Sequence, residues 1–286
     1  METEKKLSDI SWKEFKGLSL RDKGAYCQAE PLHTLIAQQY SREQLEKLCT
    51  LATRIKRINK RRAGANFLKS LLSDKRAMLY FAQPSSRTYL SFNAACQILG
   101  LDTMDVRDTN TSSEVKGETP EDTLRTFSSY ADLIIMRHPV GGFAERVAWM
   151  MAHTNREIPV INAGSGADQH PTQALLDIYT LERSFENLGG IDGKHVVFVG
   201  DLLRGRTVRS LAWMLSLYRD MTLYFVAPAP LQIGQDILDL LDQAGTKYVA
   251  TQDFASVMPI ADAIYMTRIQ DEWDVEGEAS TTDSSE

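Results

Sequence analysis

The residues of this chain best suited to chemistry are arginines that stand beside hydroxyls and glycines where an apolar run gives way to a helical pattern. The sharpest such segment is Phe81-Ala-Gln-Pro-Ser-Ser-Arg-Thr88, in which a strand-like run ends in a turn and opens a helix. The first N–H groups of a helix and its dipole favour an anion. Ser85, Ser86 and Thr88 add hydroxyl donors, and the forked guanidinium of Arg87 suits phosphate oxygens. A competing reading, in which Ser85 or Ser86 only caps the helix and Arg87 is a solvated charge, weighs equally on local sequence. A second turn, Val199-Gly-Asp-Leu-Leu-Arg-Gly-Arg-Thr-Val208, has Gly200 and Gly205 to shape it and Arg206 at the start of the next helix. It matches neither GxGxxG nor GxxxxGK[ST], so it is not a nucleotide loop of either kind.

Three further polar positions lie at the ends of apolar runs. Arg137 follows one in Met136-Arg-His-Pro139, and Arg268 follows the last in Thr267-Arg-Ile-Gln270. His170 immediately precedes a helix, where a neutral imidazole can donate to a carbonyl oxygen or simply cap the helix. Arg87, Arg137, Arg206 and Arg268 thus stand at four strand ends, with no carboxylate cluster or Cys/His set spaced for a metal and no nucleophile elbow or serine triad. Such a collection fits group transfer on a phosphorylated or carboxylated substrate, driven by positioning and electrostatics.

Positioning these residues requires an alternating α/β chain. Ser41-Arg-Glu-Gln44 reads as a capping box before a helix of about five turns. Beyond it the pattern predicts strand 77–81, helix 86–99, a helix opened by Thr119-Pro120, strand 132–136, helix 142–153, strand 158–162 and helix 171–185. It continues with strand 195–200, helix 206–218, strand 221–227, helix 233–243, and strands 247–250 and 262–267. Such alternation predicts parallel sheets covered by helices, with ligands at the carboxyl ends of the strands. The turn-rich segment Ser184–Gly193 marks an internal boundary, so two domains are expected, joined by the 171–185 helix and with a cleft between them.

Composition narrows the partners. With 286 residues, 43% of them hydrophobic and 24% charged, the chain is neither disordered nor fibrous. The net charge of −6 gives no global field toward nucleic acid or an anionic membrane. Seven acids (Asp271, Glu272, Asp274, Glu276, Glu278, Asp283, Glu286) account for the whole acidic excess, so the rest of the chain is close to neutral. There is no apolar run of about 20 residues and no signal-peptide pattern, and a cytoplasmic location is expected. Cys27, Cys49 and Cys96, odd in number and widely spaced, read as reduced packing residues.

Taken in order, Pro84-Ser-Ser-Arg-Thr88, Lys116-Gly-Glu-Thr119, Met136-Arg-His-Pro139, Asn162-Ala-Gly164, Gln169-His-Pro-Thr-Gln-Ala-Leu-Leu-Asp177, Gly200-Asp-Leu202, Gly205-Arg-Thr-Val208 and Tyr265-Met-Thr-Arg-Ile-Gln270 resemble the aspartate/ornithine carbamoyltransferase family, on its aspartate branch. The resemblance runs from about Glu30 to Gln270. It implies a two-domain α/β enzyme: residues 1–170 bind carbamoyl phosphate, 171–186 form the linking helix, 187–270 bind aspartate and 271–286 form an acidic loop or tail. It further implies that Ser85, Ser86, Arg87 and Thr88 hold the phosphate, that Thr88, Arg137 and His170 polarise the carbamoyl carbonyl, and that Gln173 orients its amide. Arg206, Arg268 and Gln270 would grip the two carboxylates of aspartate. Ser112 and Lys116 would enter the site of a neighbouring subunit of a homotrimer. No metal or organic cofactor is implied, and a regulatory chain or a dihydroorotase is the kind of partner the resemblance allows.

Two departures bear on this. Ser86 stands where the family usually has Thr, and Gln83 and Trp273 replace a carboxylate and an arginine that pair in some members. The resemblance also predicts a further loop, a His-Pro-Leu-Pro segment and returning helices beyond Gln270, so the second domain is expected to be incomplete. Two rival expectations follow from that end: a non-catalytic scaffold for another pyrimidine enzyme, and a carbamoyltransferase acting on another amino acceptor.

Overall fold

The computed structural model describes residues 5–28, 33–107 and 119–268. Two short helices, α1 (Trp12–Gly17) and α2 (Leu20–Tyr26), precede a 3-10 turn at Ala37–Gln39. The capping box at Ser41 forms as expected: its side chain accepts from the Gln44 N–H while Gln44 reaches back, and α3 runs Arg42–Ile58. Helix α4 (Arg62–Ser70) leads to β1 (Arg76–Phe81), α5 (Ser86–Leu99) and β2 (Asp102–Val106). Then come α6 (Pro120–Ser128), β3 (Leu133–His138), α7 (Phe143–Ala152) and β4 (Val160–Ser165). Helix α8 (Pro171–Phe185) crosses to the second half, built from β5 (His195–Val199), α9 (Arg206–Ser216), β6 (Thr222–Val226), α10 (Gln235–Ala244), β7 (Lys247–Thr251), α11 (Phe254–Val257) and β8 (Ala263–Met266).

The strands form two four-stranded parallel sheets, ordered β2-β1-β3-β4 and β7-β6-β5-β8. The central strands, β1 and β3 in one sheet and β5 and β6 in the other, are covered on both faces. Met78 and Tyr80 of β1 enter one core cluster while Ala77, Leu79 and Phe81 enter another. In β5, Val196 and Phe198 pack on one side and Val197 on the other. This period of two with both faces buried explains why these strands read as continuous apolar runs.

The short helices α1, α2, α4 and α11 are not predicted by the periodicity, and among the strands neither is β2. Its sequence, Asp-Thr-Met-Asp-Val, is polar because it is an edge strand whose burial is slight. Parallel pairing with β1, from Arg76↔Asp102 to Tyr80↔Val106, supplies the order that composition does not. All three cysteines are free and buried. Among the described residues no helix is long and apolar enough to cross a membrane.

Candidate active site

A cleft of about 1160 Å³ opens at the carboxyl ends of β1, β3, β5 and β8, where the two sheets meet. It is lined by Ser85, Ser86, Arg87, Thr88, Arg137, His170, Gln173, Arg206 and Arg268, so nine of the twelve expected site residues come together. The other three, Ser112, Lys116 and Gln270, lie outside the described residues.

At the start of α5, Ser85 occupies the N-cap position with extended backbone, yet its side chain makes no capping bond. Its hydroxyl donates instead to Thr88 Oγ1 at 2.9 Å. The simple capping reading of Ser85 is therefore wrong. The amides of the first turn are not consumed by a cap, and Arg87 lies exposed beside them. Arg206 is the first residue of α9. A cation at a helix N-terminus opposes the helix dipole, so both arginines sit where the backbone itself favours a negative charge, and an anion between them would satisfy backbone and side chains together.

Arg137 and Arg206 are each only 8% exposed. Arg137 Nη1 donates to the Ala163 carbonyl at 3.2 Å. Arg206 Nη1 donates to the Gly166 carbonyl at 2.6 Å and to Gln83 Oε1 at 3.1 Å, a contact between the two halves of the chain. Arg204, two residues earlier, turns back to its own loop: its N–H donates to Asp201 Oδ1 at 3.0 Å, and its guanidinium pairs with the same carboxylate. Arg268 is exposed just past β8, whose end is pinned by Thr267 Oγ1 donating to the Val199 carbonyl at 3.1 Å. At Gly200, with φ +114°, a Cβ would lie 2.4 Å from the Thr267 carbonyl oxygen, so only glycine lets the ends of β5 and β8 approach this closely.

His170 is both a helix cap and a cleft group. Its Nδ1 accepts from the Gln173 N–H at 3.3 Å, capping α8. That places the ring proton on Nε2, the other nitrogen. Burial, then the charges of Arg206 and Arg137, push its pKa down to about 3, so the ring is a neutral donor. Its own N–H donates to Ser210 Oγ on α9 at 3.0 Å, a second contact across the junction. On the next turn of α8, Gln173 Nε2 donates to Asp177 Oδ1 at 2.9 Å, which leaves Oε1 as the amide's open acceptor. Tyr265 of β8 donates to Asp177 Oδ2 at 3.0 Å. Burial pushes the Asp177 carboxyl up to about 6 against these two hydrogen bonds.

Sequence reasoning quoted Gly164, Asp177 and Tyr265 within motifs without giving them work, and it missed Ser210. Gly164 has φ +114°, and a Cβ there would lie 2.6 Å from Arg137 Nη1 and 3.3 Å from both Arg206 Cζ and His170 Cδ2. Asn162 holds this turn, accepting from the Gly164 N–H at 2.9 Å and donating to the Leu35 carbonyl. The i, i+4 spacing of Gln173 and Asp177 on one helix face is the signal that could have been read. His138, by contrast, is structural: it stacks on Phe143 at 4.0 Å and its Nδ1 accepts from the Val140 N–H. Among the described residues no group of three or more His, Cys, Asp or Glu side chains could hold a metal.

Two parallel sheets meeting at a cationic cleft, with a neutral histidine capping the joining helix, define an α/β protein whose halves frame a site suited to an anion. The carbamoyl-phosphate-binding domain of aspartate/ornithine carbamoyltransferases matches residues 32–183, more than half of the chain, and the chain belongs to that family. It is 44% identical over 237 residues to aspartate carbamoyltransferase 1 of Pisum sativum, a chloroplastic protein, covering 82% of this chain and 58% of the relative. With the catalytic subunit from Chromobacterium violaceum it shares 40% identity, covering 84% of this chain and 74% of that one. The solved Methanocaldococcus jannaschii catalytic subunit superimposes with a TM-score of 0.71 at 36% identity, over 84% of this chain and 74% of that one. Aspartate transcarbamoylase from Trypanosoma cruzi, solved with carbamoyl phosphate and aspartate, gives 0.74 at 36% identity, over 84% and 73%. The chain thus spans less than two thirds of the plant relative and about three quarters of the bacterial one.

Proposed function

We propose that this chain transfers the carbamoyl group of carbamoyl phosphate to the amine of L-aspartate, releasing phosphate and N-carbamoyl-L-aspartate. The observation that carries this is the meeting of four arginines in one cleft with a neutral His170 whose proton is on Nε2. Ser85, Ser86, Arg87 and Thr88 hold the phosphate at the start of α5, where uncapped amides and dipole act together. Thr88, Arg137 and His170 Nε2–H donate to the carbamoyl oxygen as it gains negative charge, and Gln173 Oε1 accepts from the carbamoyl amide. The neutral amine of aspartate forms a bond to the carbamoyl carbon through its lone pair. The C–O bond to phosphate then breaks with its electron pair, and the amine's proton leaves to an oxygen of the departing phosphate. Arg206 and Arg268, with Gln270, take the two carboxylates, because a dicarboxylate acceptor needs cations that a basic amino acid would not.

This reading includes residues 1–170 as the carbamoyl phosphate domain, 171–186 as the link and 187–270 as the aspartate domain. It also includes a homotrimer in which Ser112 and Lys116 complete a neighbour's site, and a cytosolic location. The likeness to chains named as catalytic subunits and the free, buried cysteines support these points.

The test is carbamoyl-aspartate formation by the purified chain from carbamoyl phosphate and L-aspartate, with L-ornithine as the rival acceptor. Arg87→Ala should lower kcat/KM by about 100-fold or more, and Arg268→Ala should raise the KM for aspartate while leaving phosphate binding in place. Carbamoylation of ornithine in preference to aspartate, or equal rates for the parent chain and Arg87→Ala, overturns the assignment.

A further inference from the structure

A second cavity, of about 1140 Å³, lies between the two halves, where α2 and the start of α3 face α9 and α10. Three observations set it apart from an ordinary surface hollow. No carboxylate is among its lining residues, while two exposed cations, Lys5 and Arg21, are, and neither is ion-paired among the described residues. Two of its lining side chains, Gln38 and Trp213, bury N–H groups, Nε2 and Nε1, with no hydrogen-bond partner among the described residues. Gln38 is only 6% exposed, so an unmet donor there is costly.

The orientation of the Gln38 amide is fixed by its neighbours. Gln169 Oε1 accepts from the Ala37 N–H at 3.2 Å and from the Ser210 hydroxyl at 2.9 Å, so its Nε2 is the donor end. That Nε2 donates to Gln38 Oε1 at 3.3 Å, which leaves Gln38 Nε2 as the end without a partner. Ser210 Oγ in turn accepts from the His170 N–H at 3.0 Å. A buried chain of hydrogen bonds therefore runs from the cavity lining, through Gln169 and Ser210, to the histidine of the cleft.

We propose that this cavity binds a small organic anion whose charged head meets Arg21 and Lys5 and whose uncharged carbonyl-type oxygens accept from Gln38 Nε2 and Trp213 Nε1. Cations supply the charge, the two buried donors choose an occupant that carries acceptor oxygens, and the missing carboxylates exclude amines. Filling the Gln38 donor completes the hydrogen-bond chain that holds His170, so occupancy is felt in the cleft.

The test is binding, read without the enzyme reaction. The four tryptophans, labelled with 5-fluorotryptophan, give separate fluorine resonances, and Trp213→Phe assigns one. N-acetylglycinate and hippurate form the carboxylate arm, phenyl phosphate the phosphate arm, and N-acetylglycinamide the uncharged control. A saturable shift of the Trp213 resonance with at least one anion is expected, with the control weaker by about tenfold. Arg21→Ala, at an exposed position that does not threaten the fold, and Gln38→Met should each weaken the anion by a similar factor. The His170 ring nitrogen resonances should move with Trp213 in the parent chain and stay fixed in Gln38→Met. A Trp213 resonance unmoved by every anion, or moved as readily in Arg21→Ala and Gln38→Met as in the parent, overturns the site. A shift at Trp213 with none at His170 overturns the link to the cleft.

Discussion

Replacing Gly164 by alanine puts one methyl group at the centre of the cleft and yields two separable effects. The first is conformational: at φ +114° an alanine is strained by about 1–3 kcal/mol. The second is steric. The new Cβ would sit 2.6 Å from Arg137 Nη1, whereas ordinary contact begins near 3.4 Å, so the guanidinium must retreat by ~0.8 Å. Arg137 cannot simply swing aside, because it is buried and its Nη1 donates to the Ala163 carbonyl. A displacement of that size at a group aimed at developing charge costs about 100-fold in rate. Gly189 is the control: its φ is +85°, but nothing lies within 4 Å of an added Cβ, so alanine there strains the backbone without touching the cleft. Urea unfolding should show both variants destabilised, Gly164→Ala the more because it also displaces a buried, hydrogen-bonded guanidinium. Carbamoyl-aspartate formation should fall about 100-fold in kcat/KM for Gly164→Ala and by less than about threefold for Gly189→Ala. A folded Gly164→Ala chain within about threefold of the parent, or equal losses in both variants, would refute the placement of Arg137 against this turn.

Other substitutions separate roles that one side chain combines. His170→Asn keeps an acceptor at the cap of α8 and should retain stability, whereas His170→Ala should lose about 1 kcal/mol; both should lose about 100-fold or more in carbamoyl transfer, as unfolding curves beside kinetics will show. Because His170 is held at about 3 in the folded chain against an ordinary 6.5, the unfolded chain binds the extra proton; stability should therefore rise with pH between these values, and that rise should shrink in His170→Asn. Asp177 has the opposite sign. Its folded value of about 6 lies above the ordinary 3.8, so its contribution to stability is full below about 4 and lost as pH rises through 6; Asp177→Asn should flatten this slope in pH-dependent unfolding. Gln83 accepts from Arg206 without neutralising it, so Gln83→Glu should pair with that guanidinium and raise the KM for aspartate; a marked fall in KM would refute this reading.

How much of this could be read from the sequence depends on whether the signal is local. Ser41 and Gln44, Thr119 with Pro120, and Pro171 announce their helices because capping chemistry lies within a few residues, and all three helices begin where expected. The buried strands were legible because both faces are apolar. Strand β2 was not, since an exposed edge keeps polar residues and is ordered by β1. At the cleft, the arginines were legible as cations at strand ends. Their partners were not, because contacts such as Arg206 with Gln83 or His170 with Ser210 join residues 123 and 40 positions apart. Glycines showed only as turn formers. The space around Gly164 is made by three side chains, from β3, the cap of α8 and α9, and no local pattern encodes it.

The contact between the His170 N–H and Ser210 Oγ gives the cleft a lifetime. Either sheet, folded alone, would present half of a binding surface, with α8 capped and the histidine amide open to water. The geometry that matters exists only while α9 stays docked, so the local opening of that junction, not global unfolding, sets how often the site is out of register. Slow exchange of a single backbone hydrogen, the one on His170, is then a direct measure of how long the arrangement of the cleft persists between openings.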